Sequence, residues 1–181
     1  PGLSYSLPAW ECKTGAKLAK VKGSVCAGCY AMKGNYTRYP AIKAAQYVRL
    51  KAINDSRWVE AMVAQIKNQK YFRWHDAGDI QSEDHLLKIF EVCKLTPNTK
   101  HWIPTREAQF LKLVTPEEVP ENLIIRMSSH MIDQGPVSFW PWTSTVGSKS
   151  RTCPAPDQGN SCGDCRACWD RNTKNVEYGK H

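Results

Sequence analysis

No run of 18 apolar residues occurs in the chain, so no segment is long enough to span a bilayer as a helix. No basic stretch followed by an apolar one opens it. A secretory leader is therefore not expected, and a cytoplasmic location is. Internal repeats and low-complexity tracts are also missing. Acidic residues are few: 17 Asp and Glu face 25 Lys and Arg, a formal net charge of +8. That balance favours a polyanionic or phosphate-bearing partner, nucleic acid included. It has a blander account as well. A cubane held by four thiolates is a net anion, and a nearby Lys/Arg surplus compensates it.

What the chain does have is cysteine, eight residues in 181. Without a secretory signal, metal binding outranks disulfides. Seven of them fall into two groups. Cys153, Cys162, Cys165 and Cys168 run as C-x8-C-x2-C-x2-C, in which two-residue spacers let thiolates converge and Gly163 supplies a tight loop. Four thiolates close a site for either zinc or a [4Fe–4S] cluster, and the tight run leans toward the cluster. Cys12, Cys26 and Cys29 form a sparser set followed by Tyr30, an aromatic that can shield a cluster face. Three thiolates would leave one iron open, or a fourth ligand would come from the C-terminal set. One shared centre and two separate ones both remain open at this stage. Cys93 follows Leu86 and Phe90 at helical spacing and reads as core.

The composition, 41% hydrophobic with seven tryptophans, fits one globular domain over 1–181. It divides into an irregular cysteine-rich loop (1–35), an α/β core (36–147) and a cysteine-rich clasp (148–181). Pro40 suits the start of a helix through Ala52. Ser56 is placed to cap a second one, with Trp58, Met62 and Ile66 on its apolar stripe. Tyr71–Asp79 reads as a strand and its exit, Ser82 as the cap of Glu83–Lys94, His101–Thr105 as a strand and Arg106–Val114 as a short helix. Asn122–Ser129 and Thr143–Gly147 read as further strands. This alternation predicts a parallel sheet of four to six strands, either a partial (β/α) barrel or an open sheet. Trp140 and Trp142 look exposed, as a lid or a stacking surface, with core packing expected for at least one of them. The last residues, Glu177–His181, look frayed.

Sites in parallel α/β folds form where strands end. Three ends here are polar. Arg73, His75 and Asp79 are the expected catalytic residues, with His75 and a carboxylate suited to acid–base work. Arg106, Arg126 and Ser128 are expected to bind a small or phosphate-bearing substrate, with Thr105, Ser129 and His130 beside them. Alternation sends Arg73 and His75 to one face, and Arg126 and Ser128 likewise. Asp76 and Asp79 are also placed to cap the next helix.

Ser6-Leu-Pro-Ala9, Cys12, Cys26-x2-Cys29-Tyr-Ala, Arg73-x-His-Asp-x-Gly-Asp79 and the terminal Cys-Pro…Cys-x2-Cys-x2-Cys-Trp together resemble a phage family known as gene product 88. The likeness spreads over most of the chain. The Cys-x2-Cys-Tyr-Ala element is similar to one in a neighbouring phage family with radical-SAM-like chemistry. The resemblance implies a partial (β/α) barrel with a [4Fe–4S] cluster at its open face, S-adenosylmethionine as a co-substrate, and the host cytoplasm as its setting. The chain departs from that pattern in two ways. Thirteen residues separate Cys12 from Cys26, and no Gly-Gly-Glu-like segment occurs. The expected function is an iron–sulfur phage protein with one or two clusters and a redox or enzymatic role. The alternative is a zinc- or cluster-stapled module that binds nucleic acid or protein without catalysis.

Overall fold

The computed structural model describes residues 2–180. The elements in chain order are β1 (Leu3–Tyr5), α1 (Lys13–Leu18), α2 (Asn35–Arg38), α3 (Pro40–Ala52), α4 (Trp58–Ile66), β2 (Tyr71–Trp74), α5 (Glu83–Leu95), β3 (Lys100–Thr105), α6 (Ala108–Leu111), β4 (Leu123–Ser128), β5 (Thr143–Gly147) and β6 (Asn175–Gly179). The six strands form one sheet in the order β1-β2-β3-β4-β5-β6, and every pair is parallel. The fold is α/β and the sheet is open, not closed into a barrel. Sequential order with parallel pairing requires a crossover between every two neighbouring strands, each stepping the same way across the sheet.

Register separates the two faces. Phe72, Trp74, Ile103, Leu123, Ile125 and Met127 share the face that packs against Trp58, Met62 and Ile66 of α4 and Leu86, Ile89 and Phe90 of α5. Cys93 lies in that core, fully buried as its spacing predicts. On the other face the register aligns Arg73 with Trp102, Pro104 with Arg126, Ser128 with Ser144 and Val146 with Tyr178. The segment between β5 and β6 folds back over this second face. Its Trp169 donates from Nε1 to the Phe72 carbonyl at 3.0 Å and packs against Tyr71 and Trp102.

Local chemistry explains most boundaries. Ser82 Oγ accepts from His85 N at 3.0 Å, Glu83 and Asp84 occupy the first turn of α5 and Lys94 the last. Pro40 opens α3, as expected. Helix α4 begins one residue later than Ser56 would set, because Asp55 Oδ1 takes the amide of Arg57 at 2.9 Å and no side chain caps the helix. Strand β2 stops at Trp74, short of Asp79. His75 takes φ 51°, an uncommon value for a residue with a Cβ, and ends the alternation there. Gly78 follows at φ 81°, where a Cβ would come within 2.5 Å of Leu7 Cβ. That close approach lets Leu7 N donate to the Ala77 carbonyl at 2.8 Å and brings the N-terminal loop onto the sheet.

Several expectations need correction. Residues 1–35 are not wholly irregular, since β1 and α1 form there, and α2 starts at its edge. The helix expected over Arg106–Val114 is one turn, Ala108–Leu111. Trp140 and Trp142 are buried, and Trp140 Nε1 donates to the Ile125 carbonyl at 2.8 Å, so neither is a lid. The tail is not frayed through Gly179. Asn175–Gly179 pairs in register with β5 as the edge strand, and His181 lies outside the described residues. Edge strands this short carry little periodic signal.

Candidate functional site

The N-terminal loop crosses the carboxyl ends of β2, β3 and β4. Tyr36 Oη donates to Asp76 Oδ2 at 2.8 Å, and the Tyr30 hydroxyl donates to the Asp76 carbonyl. Thr14 gives both its amide and its hydroxyl to Glu107, at 2.8 and 2.7 Å across 93 residues of sequence. Val25 N donates to the His130 carbonyl at 2.9 Å. Three strand exits thereby fix the segment that carries Cys12, Cys26 and Cys29. Within it, Ser24 Oγ accepts from Ala27 N at 3.0 Å and shapes the turn that sets the C-x2-C pair. Gly15 separates two of the sulfurs. A Cβ there would stand 3.6 Å from Cys12 Sγ, 3.6 Å from Cys26 Sγ and 3.0 Å from Cys12 Cβ.

Asp79 lies under these thiols, buried. Its carboxylate accepts from Thr105 Oγ1 at 2.6 Å, from Arg106 N at 2.9 Å and from Ile80 N at 2.8 Å. It caps no helix; Ser82 does that. Burial raises its pKa to about 6 against the pull of those donors. Burial also pushes the Cys12 thiol well up, and Asp79, Cys29, Glu107 and Cys26 add to the rise. Cys26 is raised by burial and drawn back by the Arg106 guanidinium. Among the described residues the Nε of Arg106 is buried without a partner, and so is that of Arg73. The site therefore combines buried thiols with a cation that has a donor to spare. A bound metal ion or cluster is what converts such thiols to thiolates.

The second cysteine group lies in the clasp. Burial raises the pKa of Cys168 to about 11, and Cys153 and Cys162 add to the rise. Cys168 Sγ lies 3.1 Å from Tyr178 Oη. Cys165 N donates to the Cys162 carbonyl at 2.9 Å, and Arg166 Nη1 donates to the carbonyls of Gly163 and Cys165 at 2.6 and 2.7 Å. The turn is further set by Gly163, at φ 51°. Among the described residues no three His, Cys, Asp or Glu side chains converge closely enough for one metal ion. A single zinc needs sulfurs about 3.8 Å apart, from bonds of about 2.3 Å in a tetrahedron. A cubane, with four irons sharing the thiolates, takes wider spacing.

The expected catalytic and substrate residues divide. Asp79 and Arg106 come together beneath the N-terminal cysteines. Arg73 lies on the clasp-side face, its guanidinium 4.8 Å from the Trp102 ring centroid and its Nη2 3.5 Å from Tyr30 Oη. His75 does not share that face, because its positive φ turns it into the opposite core. There its ring lies 5.3 Å from His85 and 6.4 Å from Trp74, with both nitrogens unpaired. No hydrogen bond joins it to Asp76 or Asp79. Arg126 and Ser128 do share a face, under the clasp. Arg126 donates to the carbonyls of Thr143, Ala167, Cys168 and Asp170 at 2.7–3.2 Å, so its guanidinium holds the clasp down. Ser128 Oγ pairs with Ser144 Oγ at 2.8 Å. Ser129 Oγ donates to the Gly135 carbonyl.

Sequence reasoning missed Glu107, Thr14, Gly15 and Tyr178. Glu107 had a signal, as the third polar residue in succession after Thr105 at a strand end. Tyr178 had none, because its strand was not recognised.

No curated protein and no solved structure matches this chain. Among the described residues no helix is long and apolar enough to cross a membrane. The family profile of Gene product 88 matches residues 1–171, which takes in both cysteine groups and the first five strands. The chain belongs to the Gene product 88 family.

Proposed function

We propose that this is an iron–sulfur protein with two thiolate-held [4Fe–4S] centres, acting at the N-terminal one on a small anionic or phosphate-bearing substrate. The observation that supports the reading is the placement of three cysteines in the loop fixed to the strand ends and of four in the clasp. The clasp offers four thiols, a complete ligand set. Cys12, Cys26 and Cys29 offer three, so one iron is left for an exogenous ligand. S-adenosylmethionine, as in radical-SAM-like chemistry, or the substrate itself suits that position. When bound, such a cluster supplies electrons one at a time.

The chain's own groups have distinct tasks in this reading. Arg106, with its unpaired Nε beside Cys26, attracts the substrate's carboxylate or phosphate. Asp79 fixes the Arg106 backbone and, with its pKa raised to about 6, takes up a proton only as pH falls toward 6. Glu107 anchors Thr14 and so the helix behind Cys12. Tyr30, beside Cys29, keeps water from the sulfurs. Nucleic acid is a further partner, favoured by the charge of the N-terminal third and independent of the thiolates.

Anaerobic purification followed by iron and acid-labile sulfide analysis tests the reading. About eight of each per chain are expected for two cubanes. Cys26→Ala should remove half, Cys165→Ala the other half, and S-adenosylmethionine should perturb the EPR signal only while the first centre is intact. A colourless protein with stoichiometric zinc and no sulfide overturns it.

A further inference from the structure

The net charge of the chain is not spread along it. Between Cys12 and Asn54 there are nine Lys and Arg and no Asp or Glu. The rest of the chain has 16 basic against 17 acidic residues, a net charge of −1. Eight of the nine cations are exposed. Arg49 is half-buried and bonded to Ser6. None of the nine enters an ion pair within 4 Å among the described residues.

Helix α3 orders part of this charge. Tyr39 at its N-cap, Lys43, Tyr47 and Lys51 recur every fourth residue and are all exposed, Tyr39 by 50% and Tyr47 by 40%. Residues four apart stack along one ridge of a helix, in steps of about 6 Å. The ridge thus alternates aromatic and cation over its whole length. Trp10 flanks it: Lys43 Nζ lies 5.0 Å from the Trp10 ring centroid, and Trp10 Nε1 donates to the Tyr47 hydroxyl. Glu11, which accepts from Tyr47 Oη at 3.1 Å, is the carboxylate bonded to the ridge. The helix buries little in return, since Gln46 is its one fully buried residue.

We infer that the Tyr39–Lys43–Tyr47–Lys51 ridge of α3, with Trp10 beside it, is a docking surface for single-stranded nucleic acid. Unpaired cations along a ridge suit a phosphate backbone, and exposed rings between them suit splayed bases, which stack without regard to sequence. A duplex hides those base faces, so the rings favour a single strand. This rests on the nucleic-acid reading of the charge and not on iron at either cysteine group.

Fluorescence anisotropy of a labelled dT20 oligonucleotide tests it, on the full chain as purified and after iron loading. Binding should weaken steeply with salt. K43Q/K51Q should reduce the slope of log K against log salt by about 1.4, at about 0.7 per phosphate contact in single strands. K67Q/K94Q, on exposed lysines elsewhere, should leave it unchanged. Tyr39→Ala should weaken binding at least about fivefold, and Tyr39→Trp should restore it. The inference is overturned if dT20 does not bind, if the control pair lowers the slope as much as the ridge pair, or if Tyr39→Ala binds as wild type. It is also overturned if polyglutamate of matched charge binds as tightly, since the partner is then any polyanion or an acidic protein. Binding by a protein that takes up no iron or sulfide on loading leaves this inference standing and overturns the cluster reading alone.

Discussion

Gly15→Ala separates the metal reading from ordinary stability. Gly15 is buried in α1, and replacing a helical glycine by alanine gains about 1 kcal/mol of helix propensity. Alone, that raises Tm by about 2–4 °C for a chain of this size. The added methyl, however, meets Cys12 Cβ at 3.0 Å, closer than most Cβ contacts, and stands 3.6 Å from the sulfurs of Cys12 and Cys26. Pushing one methyl into a packed site costs about 1–3 kcal/mol. The metal-free protein should therefore lie between unchanged and about 2 kcal/mol less stable, a fall in Tm of at most about 4–8 °C. Iron loading has no such compensation, because the methyl occupies the gap beside two of three expected ligands. Iron and sulfide per chain should fall by one cluster, with the clasp centre's visible absorption retained. Thermal melts of the metal-free form and metal analysis of the loaded form give both quantities. A variant that melts as wild type and also loads as wild type refutes the assignment of Cys12 and Cys26 to a common centre.

Arg126→Met removes the donor of three carbonyl bonds that hold the clasp to the sheet, and of a fourth to Thr143 in β5. Hydrogen bonds to a charged group contribute about 1.5–3 kcal/mol each, so the clasp should open first, seen as faster amide exchange and proteolysis within 148–174 while α4 and α5 stay protected. Acid should weaken the fold as well. Burial lowers the pKa of His101 to about 4 and of His85 to about 3, below the ordinary 6.5, so the folded state binds fewer protons than the unfolded one across that window. Their contribution is complete above pH 6.5 and lost as pH falls toward 4 and 3, a few kcal/mol for each. Asp79, raised to about 6, opposes them between pH 3.8 and 6. Urea melts from pH 7 to 4 should therefore give falling stability, with a shallower fall in His101→Gln. A flat profile that the variant leaves unaltered contradicts the burial argument.

The sequence by itself determined the class and order of the core. Periodicity and caps located α3, α5, β3, β4 and β5 within a residue or two, because each carries its own apolar repeat, proline or capping serine. Composition and spacing also picked out the two cysteine groups, and Cys93 as core. Those are local properties, written within a few residues of where they act. The tertiary structure decided the rest. It kept the sheet open, and it formed β1 and β6, whose few residues gain from pairing and packing rather than from pattern. It parted His75 from Arg73, because one positive φ at the end of β2 outweighs the alternation that the strand would otherwise impose. It turned Arg126 from an expected substrate residue into the anchor of the clasp, since a buried guanidinium is stable only where carbonyls meet it. It also put Glu107 against Thr14, 93 residues away. Contacts of that range depend on the path of the whole chain, and no window of sequence contains them.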